Sequence, residues 1–299
     1  MKRPATGLIV GGAASLCVIW GTTWKAIQVG LEGIPPFTGA ALRFGLASIL
    51  LLLLALAMKV RLGRSRRERL LWLVNGTCSF TVSYGIVYWA EQWVPSGLTS
   101  VLFATYPFFV ALLGHFLLPS ESLTRKELVG ILVGFAGIGL IFSEDFSVLG
   151  GPQVALASAV LLLSPLAAAL GSVSIKRWGT GIHPLSFSSV PMGIAAGILG
   201  AIAVTFERNR AIQFDSVSIG ALLYLAIFGS VVTFSIYYWL LTHLPVKRLA
   251  LIAYVIPLIA VVLGVALGEP LTAHILVGSA LVITGVVLAV ERVGKRGQV

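Results

Sequence analysis

"YWAEQWVPSG" at 88–97 and "YWLLTHLPVK" at 238–247 open on the same Tyr-Trp pair and reach a proline seven positions after the tyrosine. The match extends outward. Tyr88, Trp89, Pro95, Pro107 and Gly114 correspond to Tyr238, Trp239, Pro245, Pro257 and Gly264 at an offset of 150. After a two-residue deletion, Glu121, Leu123, Thr124, Gly130 and Gly137 correspond to Glu269, Leu271, Thr272, Gly278 and Gly285 at an offset of 148. Collinear matches rich in Trp, Pro and Gly divide the chain into two repeats, 1–147 and 148–299. What each repeat contains follows from composition.

The chain is 58% hydrophobic and 11% charged, and its mean hydropathy is +0.99. Soluble domains carry about 25% charged residues. A chain this apolar has no polar surface to offer water, so its solvent is a bilayer. The charges cluster at intervals of 20 to 32 residues, as between Arg3 and Lys25, Asp215 and Lys247, or Glu269 and Glu291. About 20 apolar residues carry a helix across the hydrocarbon. The intervals predict ten helices, near 6–27, 35–57, 70–92, 96–118, 127–143, 153–175, 184–205, 217–241, 246–267 and 271–290. The runs are continuous and lack period-2 alternation, which excludes a membrane barrel. The first run is too long for a signal-peptide core and reads as a retained span.

With the N-terminus placed inside, seventeen of the 21 basic residues fall in cytoplasmic segments. The rest are Lys25 and Arg43 in spans and Arg208 and Arg210 outside. The positive-inside rule then puts both termini in the cytoplasm. The net charge of +10 reads as this topology signal plus attraction to anionic lipid, not as a nucleic-acid footprint. Five helices per repeat is an odd number, so the second repeat enters the membrane inverted relative to the first. Inverted repeats are a hallmark of secondary transporters.

The local phrases resemble the drug/metabolite transporter superfamily, in its amino-acid and metabolite exporter branch. "WGTTWKA" (20–26) is similar to the Trp-Gly-Ser/Thr motif of that family's first helix, and "PPFTGAALRFG" (35–45) to its second-helix Pro…Arg motif. "ESLTRKELVGILVGFAGIGLI" (121–141) and "EPLTAHILVGSALVITGVVL" (269–288) are similar to its fifth and tenth helices. The sixth helix departs: "LLLSPLAAA" (161–169) lacks the tryptophan often found there. The resemblance implies a multi-pass inner-membrane exporter of neutral or aromatic amino acids. The alternatives are a proton-coupled drug or metabolite exporter, and then a channel. The expected partners are a small-molecule substrate and lipid, with no cofactor; a monomer suffices.

Candidate path residues follow from polarity inside spans. Thr77, Thr81, Tyr84 and Tyr88 recur at spacings 4, 3 and 4, one face of an α-helix. Ser230, Thr233 and Tyr237 recur at 3 and 4. Trp20, Trp24 and Tyr106 add aromatic surface. The substrate-binding set is therefore Trp20, Trp24, Thr81, Tyr84, Tyr88, Tyr106, Ser230 and Tyr237. Pro107 and Pro257, expected at mid-helix in equivalent spans, remove backbone hydrogen bonds. With Gly97, Gly114 and Gly264 they form the expected hinge or gate set. Arg43, a charge inside a span, needs a partner and is expected to be structural, bonded to carbonyls or a polar group between helices. The 11 acids are expected at the membrane rims, with Glu91 the nearest to a span. No phosphate loop and no H-E-x-x-H zinc motif occurs, no Asp lies in a span, and Cys17 and Cys78 lie in different spans. These absences argue against ATP hydrolysis, a metal site and intramembrane aspartyl proteolysis.

Overall fold

A computed structural model describes residues 5–118, 123–143, 149, 151–250 and 252–290. Among them the fold is entirely helical. The expected repeat boundary at 147/148 and Glu121 lie outside the described residues. The first five helical stretches are α1 (Thr6–Leu31), α2 (Pro36–Ala57), α3 (Arg66–Val74) and α4 (Tyr84–Ala90), then α5 (Ser96–Phe103). They are followed by α6 (Tyr106–Leu117), α7 (Arg125–Phe142), α8 (Pro152–Leu161), α9 (Leu163–Trp178) and α10 (Ser189–Phe206). The chain continues through α11 (Ser216–Ala226), α12 (Thr233–His243), α13 (Val246–Leu249), α14 (Ile252–Ala266) and α15 (Ala273–Val290).

Helix starts are written locally. Pro36 occupies the first turn of α2, where its missing N–H costs nothing. Thr124 and Glu127 close a reciprocal capping box at α7. The Asp215 carboxylate accepts the Val217 and Ser218 N–H groups at α11. Glu207, from the C-terminal half, accepts the Phe37 and Thr38 N–H groups and the Thr38 hydroxyl, and so ties α10 to the start of α2.

Among the described residues, seven helical segments are long and apolar enough to cross a bilayer: Thr6–Leu31, Pro36–Ala57, Arg66–Ala90, Ser96–Leu117, Pro152–Trp178, Pro184–Phe206 and Ser216–His243. The other three expected spans are helical but shorter or more charged. α7 has 18 residues and opens on Arg125, Lys126 and Glu127; α14 has 15 and α15 has 18.

Two irregularities recur. α3 and α4 are joined by a π-helical stretch, Asn75–Ser83, and α11 and α12 by another, Ile227–Val232. Subtracting the offset of 150 puts the second at 77–82, inside the first. The fourth span breaks between α5 and α6, and the ninth between α13 and α14. Pro107 therefore does not sit at mid-helix, as expected, but in the first turn of α6 beyond the break, where proline is best tolerated. Pro257 does lie inside α14.

Packing joins the two halves throughout. α7 pairs with α15, α2 with α10, α1 with α14 and α6 with α9. Among the largest fully buried side chains, Arg43 bonds Ser230 and Gly229 of the other half and Phe80 packs on Phe234, whereas Phe108 packs on Phe135 of its own half. Where α7 crosses α15 glycines let the backbones approach closely: a Cβ on Gly285 would fall 2.4 Å from the Gly130 carbonyl oxygen and the Gly134 nitrogen.

Candidate functional site

A cavity of about 100 Å³ lies between the halves, walled by α1, the first π stretch, α5, α9, α12 and α14. Its wall is aromatic. Trp20 packs against Phe234 and Tyr237 at ring distances of 5.4 and 5.5 Å. Trp24 packs on Phe103 at 5.3 Å, and Phe103 stacks on Tyr106. The Tyr106 and Tyr237 hydroxyls meet at 2.7 Å, and Tyr237 donates to Ser172 at 3.0 Å. No lining residue among the described ones is charged.

Five of the eight expected path residues are brought together here: Trp20, Trp24, Tyr84, Tyr106 and Tyr237. Three are not. Thr81 donates to the Gly76 carbonyl, five residues back, at 2.9 Å. Ser230 donates to the Leu225 carbonyl, also five back, at 2.9 Å. Both hydroxyls complete the wide turns of the π stretches, so neither lines the wall. The expected stripe assumed 3.6 residues per turn, and the inserted residue breaks that register. Tyr88 is buried beside Arg43 at 3.5 Å and stands outside the cavity. Ser79 and Phe234 also line the cavity; Phe234 lies at helical spacing between Ser230 and Tyr237, but a stripe of polar residues passes over it.

Arg43 is fully buried. It donates to Ser230 Oγ and to the Gly229 carbonyl, each at 2.9 Å, and lies 4.9 Å from the centre of the Tyr84 ring. Gly229 belongs to the second π stretch, where a widened turn leaves backbone groups in need of partners. Arg43→Leu should therefore lower the yield of folded protein. The unpaired carbonyl costs about 1–3 kcal/mol, which size-exclusion and thermal-melting measurements would read. A well-folded Arg43→Leu protein that no longer transports would instead make Arg43 a substrate ligand.

At each end of the bundle a cluster of side chains ties chain ends together. At the end where α1 stops, Glu269 accepts from Lys25 Nζ at 3.1 Å, from the Gly97 N–H at 2.9 Å and from the Ser96 hydroxyl. Gly97 and Gly264 both abut this carboxylate; a Cβ on Gly264 would lie 2.5 Å from its oxygen. At the other end Lys176 Nζ donates to the Leu241 and Leu244 carbonyls, and Arg177 to that of Leu117, the chain ends of α12 and α6. Gly114 is buried and its carbonyl accepts the Leu118 N–H. Glu91 stands just past the end of α4. It is 2% exposed, and neither carboxylate oxygen has a hydrogen-bond partner among the described residues. His115, expected within a span, is exposed in the last turn of α6 and accepts the Leu123 N–H.

A second space, about 1320 Å³, is larger but separate in kind. It meets Ser235, Ile236 and Trp239 on α12, whereas the aromatic cavity meets Phe234, Tyr237 and Tyr238. It also touches Leu8 and Met58, which are exposed, so it is a groove on the outside of the bundle.

The chain has recognisable relatives. The EamA-like transporter family model matches it twice, over residues 7–143 and 155–290. The protein named "Uncharacterized inner membrane transporter YedA" of Escherichia coli (strain K12) is 33% identical over 87% of this chain and 83% of its own length. "Uncharacterized transporter YoaV" of Bacillus subtilis is 25% identical over 92% and 94%. A solved crystal structure shares the fold, with a TM-score of 0.72 over 96% of this chain and 97% of that one, at 18% identity.

Proposed function

The chain belongs to the EamA-like transporter family, within the drug/metabolite transporter superfamily, and is a multi-pass membrane protein; from that premise we propose that it exports small neutral metabolites, amino acids above all, from the cytoplasm. Solute passes through the aromatic cavity by alternating access, driven by its own gradient. The chain crosses the inner membrane ten times, as two inverted five-helix repeats divided near 147/148, with both termini cytoplasmic.

One observation carries the reading: an uncharged aromatic cavity walled by both halves. The repeats are supported by the family model matching each half and by the π stretches at equivalent positions. Exchanging the halves maps the α1–α14 contact onto α9–α6, as inverted repeats require. The inner-membrane placement agrees with the name of the Escherichia coli relative. On this topology Lys25 and Glu269 close the outer side, with Gly97 and Gly264 at the gate. Lys176 and Arg177 close the inner side, near Gly114. Pro107 opens α6 just past the break in the fourth span, and Pro257 lies inside α14, where it removes a backbone hydrogen bond.

A cavity of this size suits a small solute; drug-sized ligands occupy roughly 300–1,000 Å³. The test is export from proteoliposomes loaded with labelled neutral amino acids. Tyr84→Ala and Tyr237→Ala should each slow export about tenfold at normal abundance, a loss equivalent to about 1.4 kcal/mol. Wild-type rates in both, for every solute tested, would sink the cavity assignment.

Glu91 favours a second reading, proton coupling, because a buried carboxylate without a donor is the kind of group that carries a proton. The two readings separate in vesicles holding equal solute on both sides. Under an imposed pH gradient the uncoupled exporter accumulates nothing. Net accumulation, lost with an ionophore and lost in Glu91→Gln, would establish the coupled mechanism.

A further inference from the structure

We infer that the groove on the outside of the bundle is a binding site for an anionic phospholipid of the inner leaflet, with an acyl chain between α1 and α12 and the phosphate beside Arg67, His183 and His243. Its assignment to the inner leaflet rests on the topology proposed above; the site itself does not.

The groove, about 1320 Å³, runs along two helices. It touches α1 from Gly7 to Ser15 and α12 from Ser235 to His243, eight residue steps on each, or about 12 Å of helix rise. One leaflet of the hydrocarbon is about 15 Å deep, half of roughly 30 Å. The groove therefore matches a single leaflet. α1 is bare along this face: a Cβ on Gly7 or Gly11 would meet nothing within 4 Å. The Ser15 and Ser235 hydroxyls donate to the Gly11 and Val231 carbonyls of their own helices, so the far end of the trench offers apolar surface. Leu54 and Met58 of α2, 40% and 55% exposed, form its lip. An apolar trench facing hydrocarbon is filled by an acyl chain, not by water.

The end of the groove at the α12 C-terminus is basic. His243 Nδ1 lies 2.8 Å from the Trp239 carbonyl. A carbonyl only accepts, so Nδ1 carries the proton, and Nε2 is the nitrogen that gains a second proton beside an anion. His183 Nδ1 accepts the Leu185 N–H, which leaves Nε2 as its donor; partial burial lowers its pKa, so it donates as a neutral imidazole. Arg67 reaches the rim and donates to the Thr180 carbonyl at 3.0 Å. Helix C-termini repel anions, but here Lys176 covers the Leu241 and Leu244 carbonyls and adds its own charge to the wall. Among the described residues no acid lines the groove. Glu68, beside Arg67 on α3, is 5% exposed and accepts the Ser186 hydroxyl and the Arg64 N–H. A one-leaflet trench with basic groups at one end is complementary to a chain that carries a phosphate. α12 turns Phe234, Tyr237 and Tyr238 to the cavity and Ser235, Ile236 and Trp239 to the groove, so a lipid seated here braces the back of the cavity wall.

Head and chain are tested separately. Delipidated full-length protein in detergent is titrated with phosphatidylglycerol, with phosphatidylcholine of the same acyl chains, and with inorganic phosphate; binding is read by native mass spectrometry and thermal shift. Phosphatidylglycerol should bind about tenfold more tightly than phosphatidylcholine, and inorganic phosphate should give no shift. Arg67→Gln combined with His243→Gln should bring phosphatidylglycerol down to the level of phosphatidylcholine and leave the latter unchanged, a ratio that a general folding defect would not move. Gly11→Phe fills the trench without a clash and should weaken both lipids about tenfold. Gly220→Phe on α11, where a Cβ also meets nothing within 4 Å, should bind both as wild type does. Equal binding of the two lipids, phosphate binding as tightly as phosphatidylglycerol, or Gly11→Phe behaving like Gly220→Phe overturns the proposal and leaves the exporter reading intact. Labelling of His183→Cys by an impermeant reagent outside intact cells, in a protein with Cys17 and Cys78 replaced by alanine, would overturn the topology and the inner-leaflet assignment with it.

Discussion

Gly285→Leu should leave almost no folded protein. In a bilayer, helices associate through close packing of small residues, because lipid tails are as apolar as any side chain. The α7–α15 crossing depends wholly on this. A Cβ on Gly137 would lie 2.6 Å from the Gly278 carbonyl oxygen, and one on Gly278 would lie 2.5 Å from an Ile141 side-chain carbon. At Gly285 the obstruction is backbone on the partner helix, which cannot turn aside. Leucine there forces the helices apart along their length and opens every contact in the crossing. Overpacking in a core costs about 1–3 kcal/mol where side chains can adjust; against backbone the cost is larger. Fluorescence-detected size-exclusion should show aggregate in place of a monodisperse peak. Gly139→Leu is the control, since its Cβ would meet nothing within 4 Å, and it should behave as wild type. Equal, normal peaks from both variants would contradict the described crossing.

Glu269→Leu should unlock the Lys25 end of the bundle. The carboxylate answers three donors there: the Lys25 ammonium, the Gly97 N–H and the Ser96 hydroxyl. Its removal leaves Lys25 with Gln28 as its recorded partner. Breaking a buried pair costs about 3–5 kcal/mol, and the 19% exposure of the Lys25 side chain puts this one at the low end. A shift of that size changes a two-state equilibrium roughly a hundredfold. Ser100→Cys, placed on the cavity wall of a protein with Cys17 and Cys78 replaced by alanine, reports it. An impermeant thiol reagent should reach that cysteine in Glu269→Leu and not in the parent. Lys25→Leu added to Glu269→Leu should restore much of the protection, because an apolar pair replaces an orphaned charge. Unaltered protection in the single variant would show that the clasp does not hold the gate.

Much of this architecture was legible in the residues. Composition and charge spacing implied membrane helices, and the Trp20 and Trp24 pair, with Tyr84, Tyr106 and Tyr237, stands on one cavity wall. What escaped was local. Thr81 and Ser230 looked like path residues because their spacing was read at a single helical period, and a hydroxyl that closes a π turn is indistinguishable in sequence from one that faces solute. Glu91 follows a span, as read, but its burial was not written there. Its burial depends on α2, α8 and α9, which pack around α4 from distant parts of the chain. The Lys25–Glu269 pair spans 244 residues, and no local pattern announces a contact of that separation. Ser79 owes its place on the wall to the π stretch that holds it.

The paired π stretches have a mechanical consequence. A wide turn contains one residue more than the α-turn it replaces, and it can migrate along a helix one residue at a time. Each such step re-registers only the residues it passes, turning them by about 100° and leaving the helix on either side where it stood. Thr81 and Ser230 stand in these turns, each donating to the carbonyl five residues back, so a step past either residue must break that bond before it swings a side chain to another face.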